Sequence, residues 1–288
     1  MKVTRDFYRF VVLFIAVSLL LPVKVNANSD NFFADFINEA EPSQYVAKEL
    51  FEKIEAANDQ VSSVKENVSL HSAVETDKEN NYSHQWALLV LLFNSDQAIK
   101  AAILYAEYED NDQIFFEETF LPSDEKAVLT RSSENDEWIN QIAESSEELD
   151  YFANPHYHLL IDSIVNVSED LKVYEDENNY IFLNNSHDIN LFDEFQSHYD
   201  LYVTGLNPED LTTDIMVRFD KETLLLKEFS FISYYRNNND YIEISVNTLM
   251  EMWNEYHEDM FKKEIIDNTY DLEQELEDIR DSMNPDDI

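Results

Sequence analysis

The sequence predicts an α+β protein built on one large, curved antiparallel β-sheet covered by helices. Three observations carry this. Residues 214–256 read as two long strands, 214–235 and 241–256, joined by the polar turn Asn237-Asn238-Asn239-Asp240; Asn and Asp tolerate the backbone angles a tight turn needs. In the second strand Ile242, Ile244, Val246, Met250 and Met252 share one parity, broken by Thr248, while Tyr241, Glu243, Ser245, Asn247, Glu251 and Glu255 mostly hold the other. That period of two makes one face apolar and the other wet. Elsewhere strand signals follow one another, interrupted by a helical insertion, instead of alternating with helices. Long strands of this kind belong to a large antiparallel sheet, whose apolar face needs a cover.

The elements follow in order. Residues 10–23 are apolar apart from Ser18 and Pro22, follow the basic Lys2, Arg5 and Arg9, and precede the small-residue site Val25-Asn26-Ala27. This is the pattern of a secretory signal peptide over 1–27, too short for an ordinary membrane span. One domain is expected over 28–271, then an acidic tail over 272–288. Ser43 is the expected N-cap of a helix with Val46, Ala47, Leu50, Phe51 and Ile54 on one face, ending near Asn58-Asp59. Strands are predicted over 61–76, 82–93, 114–120 and 127–131; residues 97–108 suit a helix or a strand, and their neighbours favour a strand. Residues 138–166 read mainly as helix, broken at Asn154-Pro155. Strands return over 171–183 around the turn 175–179. A helix follows over 188–199, with Asp188 as cap and Leu191, Phe192 and Phe195 inward, then a short strand over 202–206.

Composition excludes several functions. The formal net charge of −42 opposes binding to nucleic acid and anionic membranes. Removal of residues 1–27 takes away four basic residues and one acid, so the balance becomes more acidic still. There is no Cys, which rules out thiol nucleophiles, thiolate metal sites and a lipid-modified cysteine. One glycine, Gly205, leaves no room for a phosphate loop, a dinucleotide fingerprint or a Gly-supported nucleophile elbow.

The layout resembles the LolA/LppX-like carriers of bacterial envelopes, and more closely an uncharacterised family of Gram-positive secreted or lipid-anchored proteins with that fold. The matching features are the leading helix over 45–58, Trp138 after a strand, and Ile215-Met-Val-Arg-Phe-Asp-Lys-Glu-Thr-Leu224, which fits the family's strand, Asp-Lys-x-Thr turn, strand arrangement. The resemblance covers about residues 44–266. It implies a half-barrel whose hollow is capped by helices and holds acyl chains or similar apolar ligands. The chain lacks the lipobox cysteine that many such proteins carry, so release from the cell is expected in place of a lipid anchor.

The candidate chemistry is correspondingly plain. His156-x-His158 is the one close histidine pair, but it lies beside a proline at a helix break, a poor setting for a metal. The acidic clusters near 107–112 and 175–179 lack the glycine and alternating ligands of a calcium loop. No metal, cofactor or catalytic group is expected. Nineteen Phe, 16 Tyr and three Trp either pack a thick core or line an apolar cavity. In a cavity, Ile244, Val246, Met250 and Met252 are the expected floor, with Val90 and Leu92 beside them and Leu159 or Leu160 in the lid. Two function classes follow: a secreted, non-catalytic envelope protein that binds a lipid or other apolar ligand, or a structural or regulatory extracellular module with a filled core.

Overall fold

The central hairpin forms as its alternation requires, but as three strands in place of two. The computed structural model describes residues 31–37, 40–76, 80–110, 113–132, 138–142, 149, 152–184, 186–187, 190–203, 206–237 and 240–267. The expected signal peptide over 1–27, the expected acidic tail over 272–288 and the expected Asp188 cap lie outside these residues. The chain divides into two units, one of Ser29–Lys263 and one of Met1–Asn28 and Glu264–Ile288.

In the larger unit the described strands are β1 (Glu41–Pro42), β2 (Ser63–Glu75), β3 (Asn80–Phe93), β4 (Ile99–Asp110), β5 (Gln113–Leu121), β6 (Ala127–Arg131), β7 (Ile139–Ile142), β8 (Leu171–Glu175), β9 (Asn179–Asn184), β10 (Thr212–Asp220), β11 (Leu226–Arg236) and β12 (Tyr241–Glu251). They make one sheet in the order β1-β8-β9-β10-β11-β12-β2-β3-β4-β5-β6-β7. All pairings are antiparallel. The order is open, with β1 and β7 at its edges. Open sheets of more than about ten strands curl under their own twist. Register shifts at Arg218/Phe219 and Leu92/Phe93 add local bends. The result is the curved antiparallel sheet of an α+β fold.

The long strand expected over 214–235 is divided by a turn. Asp220 Oδ1 accepts from Glu222 N (3.0 Å), Thr223 N (2.9 Å) and Thr223 Oγ1 (3.1 Å), and Leu224 turns the chain at φ 60°. The apolar run Leu224-Leu225-Leu226 hid this turn from the alternation, although the Asp-Lys-x-Thr pattern marked it. At the other end of β11 the predicted Asn-rich turn is present: Asn237 N donates to Asp240 O (3.0 Å) and Asp240 N to Asn237 Oδ1 (3.1 Å). β12 stops at Glu251, and Met252 (φ 58°) and Asn254 (φ 62°) carry the chain out of the sheet.

Three helices of the larger unit are α1 (Ala47–Asn58), α2 (Tyr157–Asn166) and α3 (Leu191–Phe195), the last extended by a 3-10 turn, Gln196–Tyr199. Ala47, Leu50, Phe51 and Ile54 of α1 are buried as their spacing predicted. The N-cap is Val46, not Ser43, whose Oγ accepts from Tyr45 N instead. Leu191, Phe192 and Phe195 point inward, with Asn190 capping the helix through Asp193 N. Two expectations fail. Residues 139–142 are a strand paired with β6: the three-residue spacing of Ile139 and Ile142 suits a helix, but the segment is too short to hold that preference against the edge that β6 offers. The segment at 202–206 has no strand among its described residues, and Tyr202 is 82% exposed.

The two faces of the sheet are covered differently. Phe33 and Ile37, from the 3-10 turn Phe32–Ile37, pack on Ile181, Leu183, Met216 and Ile232 of the outer face. Asp214 fixes that turn, accepting from Phe32 N (2.9 Å), Asn184 Nδ2 (3.2 Å) and His187 Nε2 (2.7 Å). The inner face and α1, α2 and α3 share the main core cluster.

Candidate ligand-binding face

Strand register decides which side chains share the inner face, since directly paired residues of antiparallel strands point the same way. Met250 pairs with Glu66, Glu66 with Leu89, Leu89 with Leu104, and Leu104 with Thr119. The neighbouring inner row runs Phe229, Thr248, Val68, Ala87, Ala106. Beyond it lies Phe231, Val246, Leu70, Gln85, Tyr108, Phe115.

Of the predicted floor, Ile244, Val246 and Met250 lie on this face and are buried in the core cluster. Leu160 of α2 joins the same cluster. Leu159 does not, being 50% exposed, because consecutive helical residues point about 100° apart. Val90 and Leu92 are misplaced in the sequence reading. Val90 pairs with Lys65, whose other partner Glu251 is of opposite parity to Met250, so both Val90 and Leu92 face the outer side. β3 is apolar on both faces over 87–93, and alternation cannot orient such a strand. Met252 lies past the end of β12, in the turn.

The residue that the alternation did not single out is Glu66. It occupies an inner position between Val64 and Val68, is 0% exposed, and neither carboxyl oxygen has a hydrogen-bond partner. Burial pushes its carboxyl well above the usual carboxylate range. An uncompensated carboxyl in an apolar interior costs several kcal/mol as the ion, so the protonated form is favoured. Its field reaches the hydroxyls of Tyr157 and Tyr199, which burial, above all, pushes upward. The signal for Glu66 was present in the sequence as an acid in the apolar parity of a strand.

The lid is tied to the sheet and to α1 by a few polar contacts. Tyr199 and Thr248, the one polar break in the apolar parity of β12, share a hydrogen bond of 2.8 Å between their hydroxyls. Tyr157 donates to Asn58 Oδ1, which also accepts from Leu226 N (3.2 Å). Asn58 Nδ2 donates to Ile54 O (2.6 Å) and Leu224 O (2.9 Å). Trp253 Nε1 is buried and faces the Tyr157 hydroxyl. Coverage thins towards β4 and β5: Leu104, Gln85 and Tyr108 are half-buried, and Phe115 is 53% exposed.

The histidine pair belongs to the lid. His156 and His158 pack on Phe93, with ring centroids at 5.3 and 4.5 Å, and His158 Nε2 is 3.0 Å from Val61 O. His198 Nε2 is 2.9 Å from Ser163 Oγ of α2. Among the described residues no group of three or more His, Cys, Asp or Glu could hold a metal ion. Burial, reinforced by His156 and opposed by the Val61 carbonyl, pushes His158 down to about 4; burial, opposed mainly by Glu194, pushes His198 down to about 4. The fold therefore prefers both imidazoles neutral. Their stabilisation is complete above the ordinary histidine value of about 6.5 and is lost as the pH falls from there towards 4, on the order of 2 kcal/mol each. Urea unfolding at successive pH values is expected to show this loss, and His198→Leu to remove the His198 share of it.

No protein-family model matches the sequence, and no curated protein does. Solved structures similar to the chain include LprF from Mycobacterium bovis, at 10% identity and a TM-score of 0.44, covering 75% of this chain and 96% of that one. The lipoprotein LppX of Mycobacterium tuberculosis is similar at 12% identity and a TM-score of 0.38, covering 75% and 98%. A LolA superfamily protein from Nitrosomonas europaea is similar at 9% identity and a TM-score of 0.22, covering 77% and 99%. No helix among the described residues is long and apolar enough to cross a membrane.

Proposed function

We propose that this protein is a non-catalytic binder of an apolar or amphiphilic molecule, held between the inner face of β12-β2-β3-β4 and the lid formed by α2 and α3. The observation that carries this reading is Glu66: a fully buried carboxyl with both oxygens unpaired, in the middle of an apolar face. A core meant only to be filled gains nothing from such a group, and buried polar atoms without partners are rare enough in folded proteins to require a reason. A site whose ligand is absent supplies one. Support also comes from the uneven cover, since the inner row through Val246 and Leu70 continues through half-buried Gln85 and Tyr108 to the exposed Phe115, although the row of Glu66 itself ends at buried Thr119. The apolar leader at residues 10–23 fits export, so the binder is proposed to work outside the cell or in its envelope.

A second reading, the filled module, draws on Leu89, Leu91, Phe229 and Phe231, all 0% exposed. The two separate on a substitution in the floor. Under the binding reading the wild type takes up N-phenyl-1-naphthylamine saturably, and Val246→Trp or Met250→Trp reduces uptake while the fold survives. Under the filled reading there is no saturable uptake, and either substitution overpacks the core at a cost of about 1–3 kcal/mol. Fluorescence titration and thermal melting of the three proteins make the distinction; a flat titration of the wild type rejects the binding reading.

A further inference from the structure

Building on the binding reading, we infer that the polar group of the bound molecule is an uncharged carbonyl set within an apolar chain, as in an ester, amide or ketone, and that it hydrogen-bonds to the Glu66 carboxyl. The position of Glu66 sets where that group lies. Its direct partners across the sheet are Met250 and Leu89, and Val64 and Val68 flank it along β2. All four are buried, as is Glu66 itself. A ligand group that meets Glu66 therefore has apolar side chains on every side of it within the sheet. That is the setting of a linkage inside a chain, not of a solvated terminal head, whose burial would cost too much.

The state of the carboxyl sets which bond forms. Burial holds Glu66 as the neutral acid, which has one O–H donor and a carbonyl acceptor, both without a protein partner. A buried donor without a partner is rarer in folded proteins than an under-satisfied carbonyl oxygen. The O–H is thus the half that calls for a ligand, and its complement is an acceptor. A neutral acid offers no charge to offset the desolvation of an ionic head, whereas a single bond satisfies an uncharged carbonyl. The hydroxyls above the floor point the same way. Tyr157 and Tyr199 come from the lid into the range of the Glu66 field. Tyr157 is engaged by Asn58. Tyr199 and Thr248 hold two O–H groups and use one of them in the bond between them. Thr248 lies one inner position from Met250 on β12. A carbonyl oxygen has two lone pairs, so it can accept from Glu66 and from this hydroxyl pair together.

The test compares two uncharged fluorophores on the full chain and on the variants Glu66→Gln and Glu66→Leu. Laurdan carries a ketone between a naphthalene ring and an alkyl chain, and its emission moves to the red when that ketone accepts a hydrogen bond. Diphenylhexatriene has no polar atom. Laurdan is expected to bind the wild type about three- to tenfold tighter than Glu66→Leu, the worth of one buried hydrogen bond. Glu66→Gln keeps an N–H donor at the same place, so it should hold laurdan within about threefold of the wild type. Bound laurdan should emit further to the red in these two proteins than in Glu66→Leu. Diphenylhexatriene should bind Glu66→Leu at least as tightly as the wild type. Laurdan bound equally well by wild type and Glu66→Leu, with the same emission, overturns the inference and leaves the binding reading in place. So does an equal loss of both fluorophores in Glu66→Leu, since the effect then does not pass through the carbonyl, and so does saturable uptake of diphenylhexatriene without uptake of laurdan. Failure of the wild type to take up laurdan, diphenylhexatriene or N-phenyl-1-naphthylamine removes the binding reading and the inference together.

Discussion

Glu66→Leu is expected to raise the stability of this protein, by about 1–3 kcal/mol at neutral pH, the typical cost of a buried polar group left without partners. For a chain of this size that corresponds to roughly 3–10 °C in the thermal midpoint. Leucine is close to glutamate in volume, and the site between Met250 and Leu89 is already apolar. The effect has a definite pH dependence. The folded-state pKa of Glu66 is raised, so the native protein holds a proton that the unfolded chain gives up above the ordinary carboxyl value. The wild type therefore loses stability as the pH rises through that window, and the advantage of the variant grows over the same range before levelling off. This slope is opposite in sign to that of His158 and His198, so melting wild type and variant side by side from acid to neutral pH separates the two. A destabilised Glu66→Leu protein would mean that the carboxyl has a structural partner. A stabilised variant that also loses uptake of N-phenyl-1-naphthylamine is the pattern of a residue kept for binding at the expense of the fold.

The largest loss is expected at Asn58. Its side chain is 0% exposed and joins four elements of the structure: the last turn of α1, the Leu224 turn, the start of β11 and Tyr157 of the lid. Asn58→Ala leaves the Tyr157 hydroxyl and the Leu226 amide without an acceptor, both in the interior. At about 1–3 kcal/mol for each stranded group, the total is roughly 3–5 kcal/mol. Asn58→Asp keeps an acceptor for both but loses the donor to Ile54 O and Leu224 O and buries a charge, so it is expected to be no better at neutral pH. Tyr157→Phe removes one of the stranded donors, and in the Asn58→Ala background it should recover part of the loss. Denaturant melts of the two single variants and the double variant measure that coupling directly. Strict additivity would remove Asn58 from its role as the link between helix α1 and the lid.

Local pattern determined a good part of this protein. Alternation in residues 61–76, the apolar runs at 82–93 and 127–131, and the polar turns at 175–179 and 237–240 located strands and hairpins, because a half-buried strand needs its apolar residues two apart, a strand buried on both faces reads as an apolar run, and turns need residues tolerant of unusual angles. The parity of Ile244, Val246 and Met250 held in the sheet, as did the helical stripe of α1, since each is set by the geometry of one element alone. What only the tertiary structure decided is which face of a strand looks inward when both are apolar, and which short apolar segments find an edge. Val90 and Leu92 went to the outer face because the register with Lys65 and Ser63 put them there, and no pattern within β3 carries that information. Residues 139–142 became strand because β6 presented unpaired backbone groups. The importance of Glu66 also emerged only with the neighbours in place. In the sequence it is one acid among 61 Asp and Glu, and it takes Met250 on one side, Leu89 on the other and a helical lid above to make a buried carboxyl without a hydrogen-bond partner. Alternation fixes the parity of a side chain, whereas burial and pairing depend on contacts between segments far apart in the chain.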